Sequence, residues 1–190
     1  MAKKIKFLED KYRSNIPQKR NDFNDVQFEV IENPWTKEVD PGEKKFDYIL
    51  QKGDYFAERD KGDILVSMKS KHKFEIDKIY KLIYNINYIR GRFRIGFGDF
   101  GKCVSRLVEE DSVGLTNGGL YIDGEKISDI KLNINNKEVI FIINLKEKQK
   151  YFELFIDGKS YGKFNFKFDV IYGLAAFCYG SVEINTFRNS

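Results

Sequence analysis

The sequence predicts an all-β chain: a β-sandwich of two antiparallel sheets with a basic N-terminal extension. Three observations carry this expectation. From about residue 25 onward, apolar side chains recur with a period of two rather than 3.6, as strands with one buried face require. The runs are punctuated by Asn117-Gly118-Gly119, Asp123-Gly124 and Asp157-Gly158, whose residues tolerate the positive φ of tight hairpins. Outside the extension, only "CVSRLVEE" at 103–110 has helical spacing, through Val104, Leu107 and Val108, and it is barely two turns long. Many short strands, frequent glycine turns and almost no helix define the sandwich class. No repeat of fixed period points to a propeller or solenoid.

The elements follow in order. Residues 1–24 form the extension and 25–190 a single β-sandwich domain. The extension holds Lys3, Lys4, Lys6, Lys11, Arg13, Lys19 and Arg20 against Glu9, Asp10 and Asp22, a net charge equal to the formal +4 of the whole chain, so the remainder is neutral overall. Ile5, Leu8 and Tyr12 give this segment one apolar stripe, suited to a short helix that packs on its own domain. Strands are expected near 26–31, 46–51 and 63–69. In "IYKLIYNINY", Tyr80, Leu82, Tyr84, Ile86 and Tyr88 fall on one face and Lys81, Asn85 and Asn87 on the other, with Ile83 the exception. A separate strand near 92–97 places Phe93, Ile95 and Phe97 inward and Arg92 and Arg94 outward. Further strands are expected at 119–123 and 151–156. "VIFIINL" at 139–145 is apolar on both faces and reads as a central strand covered on each side. "KFNFKFD" alternates Phe164, Phe166 and Phe168 with Asn165 and Lys167. After a strand near 171–177, "SVEINTF" sets Val182 and Ile184 opposite Glu183 and Asn185.

The motifs that suggest chemistry weaken on inspection. "GFGDFG" at 96–101 matches a dinucleotide-binding glycine pattern, but that pattern needs a following long helix in a parallel βαβ unit. The Asp-Phe-Gly within it overlaps the glycines that a kinase would keep far away. "RGRFRIGFG" approaches a ribonucleoprotein consensus, yet its aromatics alternate toward the core, whereas base stacking needs them exposed. Arg92 and Arg94 are left outward, able to touch phosphate or an acidic peptide. His72 is the only histidine and lies among lysines, Glu75 and Asp77 are a lone carboxylate pair flanked by lysines, and no CxxC, EF-hand or HExxH pattern occurs. The residues predict a non-enzyme without metal or cofactor. Two cysteines, Cys103 and Cys178, form no disulfide framework. No Asn-x-Ser/Thr sequon occurs, and no window approaches the ~18 apolar residues of a membrane-spanning helix. These features together predict an intracellular chain, cytoplasmic or else nuclear, without membrane association.

Five blocks in order resemble the SPRY domain, the core of the B30.2 module and a concanavalin-like β-sandwich (jelly roll). They are "HKFEIDKIYKLIYNIN", "FRIGFGDF", "SVGLTNGGLYIDGEKI", "YFELFIDGKSYG" and "IYGLAAFCYGSVEINTF", and the resemblance covers about residues 63–188. The chain departs from the pattern at Leu82, where the family carries Trp, and at Gly173, where it carries Pro; its single Trp35 lies in "ENPWTKEVDPG", read as a loop. The resemblance implies a non-catalytic protein-interaction module that acts as a binding or assembly subunit through loops at the sandwich edge, with Trp35, Tyr55, Tyr121, Arg92 and Arg94 as candidate contacts. An alternative is an accessory factor of a ribonucleoprotein particle such as the ribosome, with the lysines and arginines of residues 1–24 on RNA phosphates. A third reading is a sugar-binding or sugar-cleaving sandwich.

Overall fold

The computed structural model describes residues 28–30, 35–38, 50–51, 54–57, 66–70, 72–99, 110–130, 133–146, 148–169 and 171–189. It contains thirteen strands: β1 (Phe28–Val30), β2 (Trp35–Glu38), β3 (Leu50–Gln51), β4 (Asp54–Ala57), β5 (Val66–Ser70), β6 (Ile79–Gly98), β7 (Ser112–Thr116), β8 (Gly119–Ile122), β9 (Glu125–Ser128), β10 (Lys137–Asn144), β11 (Tyr151–Ile156), β12 (Lys159–Asn165) and β13 (Tyr172–Asn189). Among the described residues there is no helix. The expected helical stretches, 1–24 and most of 103–110, lie outside the described residues, as does the boundary at residue 24.

The two layers of the sandwich share a spine. β6 and β13 are antiparallel over nearly their whole lengths, from Tyr172 opposite Gly98 to Arg188 opposite Tyr80. The first half of β6 continues through β10, β11 and β12, with Val139 opposite Tyr84, Ile156 opposite Val139 and Phe164 opposite Phe152. Its second half continues instead through β7, β8 and β9, while β5 and then β2 join the other side of β13. The hydrogen-bonded network is therefore one curled sheet that supplies both layers.

This differs from the separate strands expected at 80–88 and 92–97, and at 171–177 and 182–187. The ladder survives the turn because Gly91 takes φ 81 within β6, and β13 shifts register between Phe177 and Tyr179 and again between Ser181 and Val182. Extra residues on one strand bend it and increase its twist without ending the pairing. Four short strands, β2, β4, β7 and β9, fall where no separate strand was expected.

The inward faces are those the alternation marks. Tyr80, Leu82, Tyr84 and Ile86 are buried on the first half of β6, and Phe93, Ile95 and Phe97 on the second; Tyr88 departs from the expected face, half-buried while Ile89 beside it is buried as the strand nears its bend. Val182 and Ile184 on β13 and Phe164, Phe166 and Phe168 are buried as expected. Phe97, from one layer, meets Phe141 and Phe152 of the other edge-on, with ring centroids 5.8 and 5.4 Å apart. Phe166 lies 5.3 Å from the same ring. Such edge-to-face pairs add about 0.5–1.5 kcal/mol each to the burial of the rings.

One polar group crosses this aromatic core. The buried Tyr84 hydroxyl lies 2.7 Å from the Gly96 carbonyl and 2.6 Å from the Leu174 carbonyl, and it accepts the Gly96 N–H at 3.3 Å. Its one proton is shared between two backbone acceptors on neighbouring strands of the opposite layer. Burial raises the Tyr84 pKa well above the ordinary tyrosine value, so the hydroxyl remains a donor. At Gly96 no side chain fits: φ is +156, and a Cβ would stand 2.0 Å from the Val113 carbonyl oxygen.

Tyr84→Phe keeps the ring and removes this tie, leaving buried backbone groups without their partner. The expected loss is about 1–3 kcal/mol, read as a lower urea midpoint at unchanged slope.

Candidate interaction surface

The curl of the spine creates a corner at one end of the sandwich. Residues 87–93 of β6 pass from layer to layer there, and Arg90, Gly91 and Arg92 are exposed. Two loops hold this bend by side-chain amides. Asn117, between β7 and β8, accepts the Phe93 N–H at 2.9 Å through Oδ1 and donates through Nδ2 to the Gly91 carbonyl at 3.0 Å. Asn135, between β9 and β10, accepts the Ile89 N–H at 2.7 Å, and the Asn136 N–H donates to the Asn87 carbonyl at 3.1 Å. The Asn87 amide donates to Ser181 Oγ of β13 at 3.0 Å.

These bonds explain a departure from the expected turn chemistry. Asp123-Gly124 and Asp157-Gly158 adopt positive φ at both residues, as tight hairpins require. Neither Asn117 nor Gly118 does; the positive φ of that hairpin falls at Gly119. Asn117 spends its amide on β6, while the Gly118 N–H donates to Thr116 Oγ1 at 3.0 Å.

The five candidate contacts are all on strands, Arg92, Arg94 and Tyr121 where strands were expected and Trp35 and Tyr55 where none was. Arg92 and Arg94 belong to β6, Tyr121 to β8, Tyr55 to β4 and Trp35 to β2. Trp35–Glu38, within the segment that reads as a loop, pairs with β5, with Trp35 opposite Ser70. Tyr55 sits opposite Val182 of β13, one strand from the corner. Tyr121 is half-buried and opposite Gly114 on the face that Arg94 also occupies, and its hydroxyl oxygen lies 3.1 Å from where a Gly118 Cβ would stand. The corner thus gathers Arg92, Arg94 and the Tyr121 hairpin. Sequence reading missed Arg90, Asn117 and Asn135, because the turn signal at 117–119 describes a hairpin and not the strand its side chain reaches, and nothing local to 135 points to β6. The basic residues Lys3, Lys4, Lys6, Lys11, Arg13, Lys19 and Arg20 lie outside the described residues.

Other polar groups have structural partners. His72 is exposed, and Ser70 Oγ donates to its carbonyl at 3.0 Å. Glu75 accepts from Arg188 Nη1 at 2.7 Å, while Lys150 reaches Asp169 and the Phe168 carbonyl. Burial lowers the pKa of Lys150. Asp157 is held below the ordinary carboxylate value by the Lys137 ammonium, and secondarily by the Glu138 N–H. Among the described residues, no group of three His, Cys, Asp or Glu side chains is placed to hold a metal ion.

No family model matches the chain, and no curated protein matches it. Solved structures do. A human SPRY domain aligns with a TM-score of 0.54 at 12% identity, over 75% of this chain and 97% of that one. The SPRY domain of human HERC1 aligns with the same score at 10% identity, over 77% of this chain and 98% of the other. The Emp46p carbohydrate recognition domain in its metal-free form reaches 0.48 at 12% identity, over 82% and 87% of the two chains. The fold is that of a divergent SPRY domain, an all-β antiparallel sandwich.

Two outcomes test the geometry. Asn117→Ala should speed hydrogen exchange of the Phe93 amide and cost about 1 kcal/mol, while the amides of β10 and β11 keep their protection. Asp157→Asn should lower stability at neutral pH relative to the parent chain. A depressed folded-state pKa stabilises above the unfolded value of 3.8, so the difference should shrink as pH falls below it, in paired urea titrations.

Proposed function

We propose that this chain is a non-catalytic protein-interaction module, a binding or assembly subunit whose contact surface is the corner at residues 87–93 with the hairpin at 117–118 and the loop at 133–136. The observation that carries this reading is the way the corner is built. Three segments far apart in sequence converge, their backbones are cross-braced by Asn117 and Asn135, and Arg90, Arg92, Asn117, Asn133 and Asn136 stand exposed beside them. A surface whose polar groups are held in place before the partner arrives loses less conformational entropy on binding. The SPRY fold supports the reading in general terms, since ligands of rigid sandwiches meet the segments at their ends.

A second reading keeps the charge asymmetry in view. Residues 1–24 carry the whole net charge of the chain, and such a segment suits RNA phosphates in a ribonucleoprotein particle. Affinity purification at low salt, with and without nuclease, separates the two. The interaction-module reading expects a protein partner that survives nuclease and is lost with Tyr121→Ala or Asn117→Ala, while residues 1–24 are dispensable. Recovery that depends on intact RNA and on residues 1–24, and is indifferent to the corner, would replace it with the ribonucleoprotein reading.

A further inference from the structure

The corner has a chemistry that narrows its partner. β6 places Arg90, Arg92 and Arg94 at alternate positions around Gly91; Arg90 and Arg92 are exposed and Arg94 is half-buried opposite Thr116 of β7. The bend at Gly91 is fixed on both sides, by Asn135 at Ile89 and by Asn117 at Gly91 and Phe93. The guanidinium stems therefore leave a braced backbone. Around them stand exposed amides, Asn87, Asn117, Asn133 and Asn136, which can both donate and accept.

Resting on the interaction-module reading, we infer that this corner receives an extended acidic segment of a protein partner, with Asp or Glu at alternate positions. In an extended chain, residues i and i+2 lie about 6.5–7 Å apart and point the same way, so alternate carboxylates of such a segment share one face toward the exposed Arg90 and Arg92. Guanidinium groups match carboxylates in a two-bond fork, and neighbouring amides suit the partner's backbone N–H and C=O groups. Each of the three arginines already has an interaction within the chain. A single carboxylate therefore competes poorly, and a segment with several, delivered together, competes well. Single-stranded RNA suits the corner less. Phe93 is buried beneath it, and Tyr88 and Tyr121 beside it are half-buried, whereas base stacking needs open aromatic faces.

The test is fluorescence anisotropy of the full chain with three labelled probes: a twelve-residue peptide alternating Glu and Ser, its Gln-Ser counterpart, and a twelve-nucleotide oligouridine. The acidic peptide should bind, and the Gln peptide should bind at least tenfold more weakly. Arg90→Glu with Arg92→Glu should abolish acidic-peptide binding, whereas Arg92→Lys, which keeps the charge but loses the fork, should weaken it several-fold. Unchanged far-UV circular dichroism and urea midpoint establish that these exposed substitutions leave the fold intact. Acidic-peptide affinity that is unchanged by the double reversal, or equal for the Glu and Gln peptides, overturns the inference. So does oligouridine binding that is lost in the double reversal while the acidic peptide fails to bind. A protein partner whose recovery needs Asn117 or Tyr121 but not Arg90 and Arg92 would refute the acidic-segment inference and leave the broader interaction-module reading standing.

Discussion

Two backbone carbonyls and one tyrosine hydroxyl join the layers of this sandwich. A sheet that supplies both of its own layers must bend sharply, and the bend is stable only if the faces brought together hold each other. Apolar packing of Phe97 against Phe141 and Phe152 supplies most of the adhesion, but it is not directional. The Tyr84 hydroxyl supplies direction. It engages Gly96 and Leu174, paired residues of β6 and β13 in the opposite layer, so the two halves of the spine are fixed in register across the core as well as along the ladder. That arrangement demands a residue without a side chain at position 96. The motif that resembles a phosphate cradle is thus a constraint of strand packing.

The candidate surface follows from the same bend. Turning the spine brings β6 past two loops that would otherwise have nothing to brace, and their asparagines satisfy backbone groups that the turning ladder leaves over. The outcome is an end of the molecule where exposed arginines and amides ride on hydrogen-bonded backbone. The ribonucleoprotein-like segment is instructive here. Its aromatics, Phe93 and Phe97, are in the core and its arginines face away, the reverse of what a base-stacking sheet requires.

The period-two pattern made the fold legible from the residues, because burial on one face of a strand leaves a mark at every second position. The pair Val182 and Ile184 and the doubly apolar run at 139–145 lie where that mark puts them; Phe164, Phe166 and Phe168 are buried as marked, although β12 ends at Asn165, before the last two. What the pattern hides is continuity. Arg90 through Arg92 interrupt the alternation just as a loop would, yet the strand runs on through them because a glycine with positive φ absorbs the bend. Strands such as β7 are short, and the alternation of Val113 and Leu115 with Ser112, Gly114 and Thr116 is too brief a mark to stand out from a loop. The candidate surface was legible in part. Arg92 and Arg94 follow from facing away from Phe93, whereas Asn117 and Asn135 act through contacts with residues 24 and 46 positions away, which no local pattern encodes.

The most direct test of the account is residue-level mapping of binding by 1H–15N correlation spectra of the full chain titrated with the alternating Glu-Ser peptide. Perturbed amides should cluster at 87–93, 117–118 and 133–136, with the opposite end of the sandwich, at 72–78, 123–124 and 145–146, unmoved. Perturbations centred on that opposite end, with the corner silent, would contradict it.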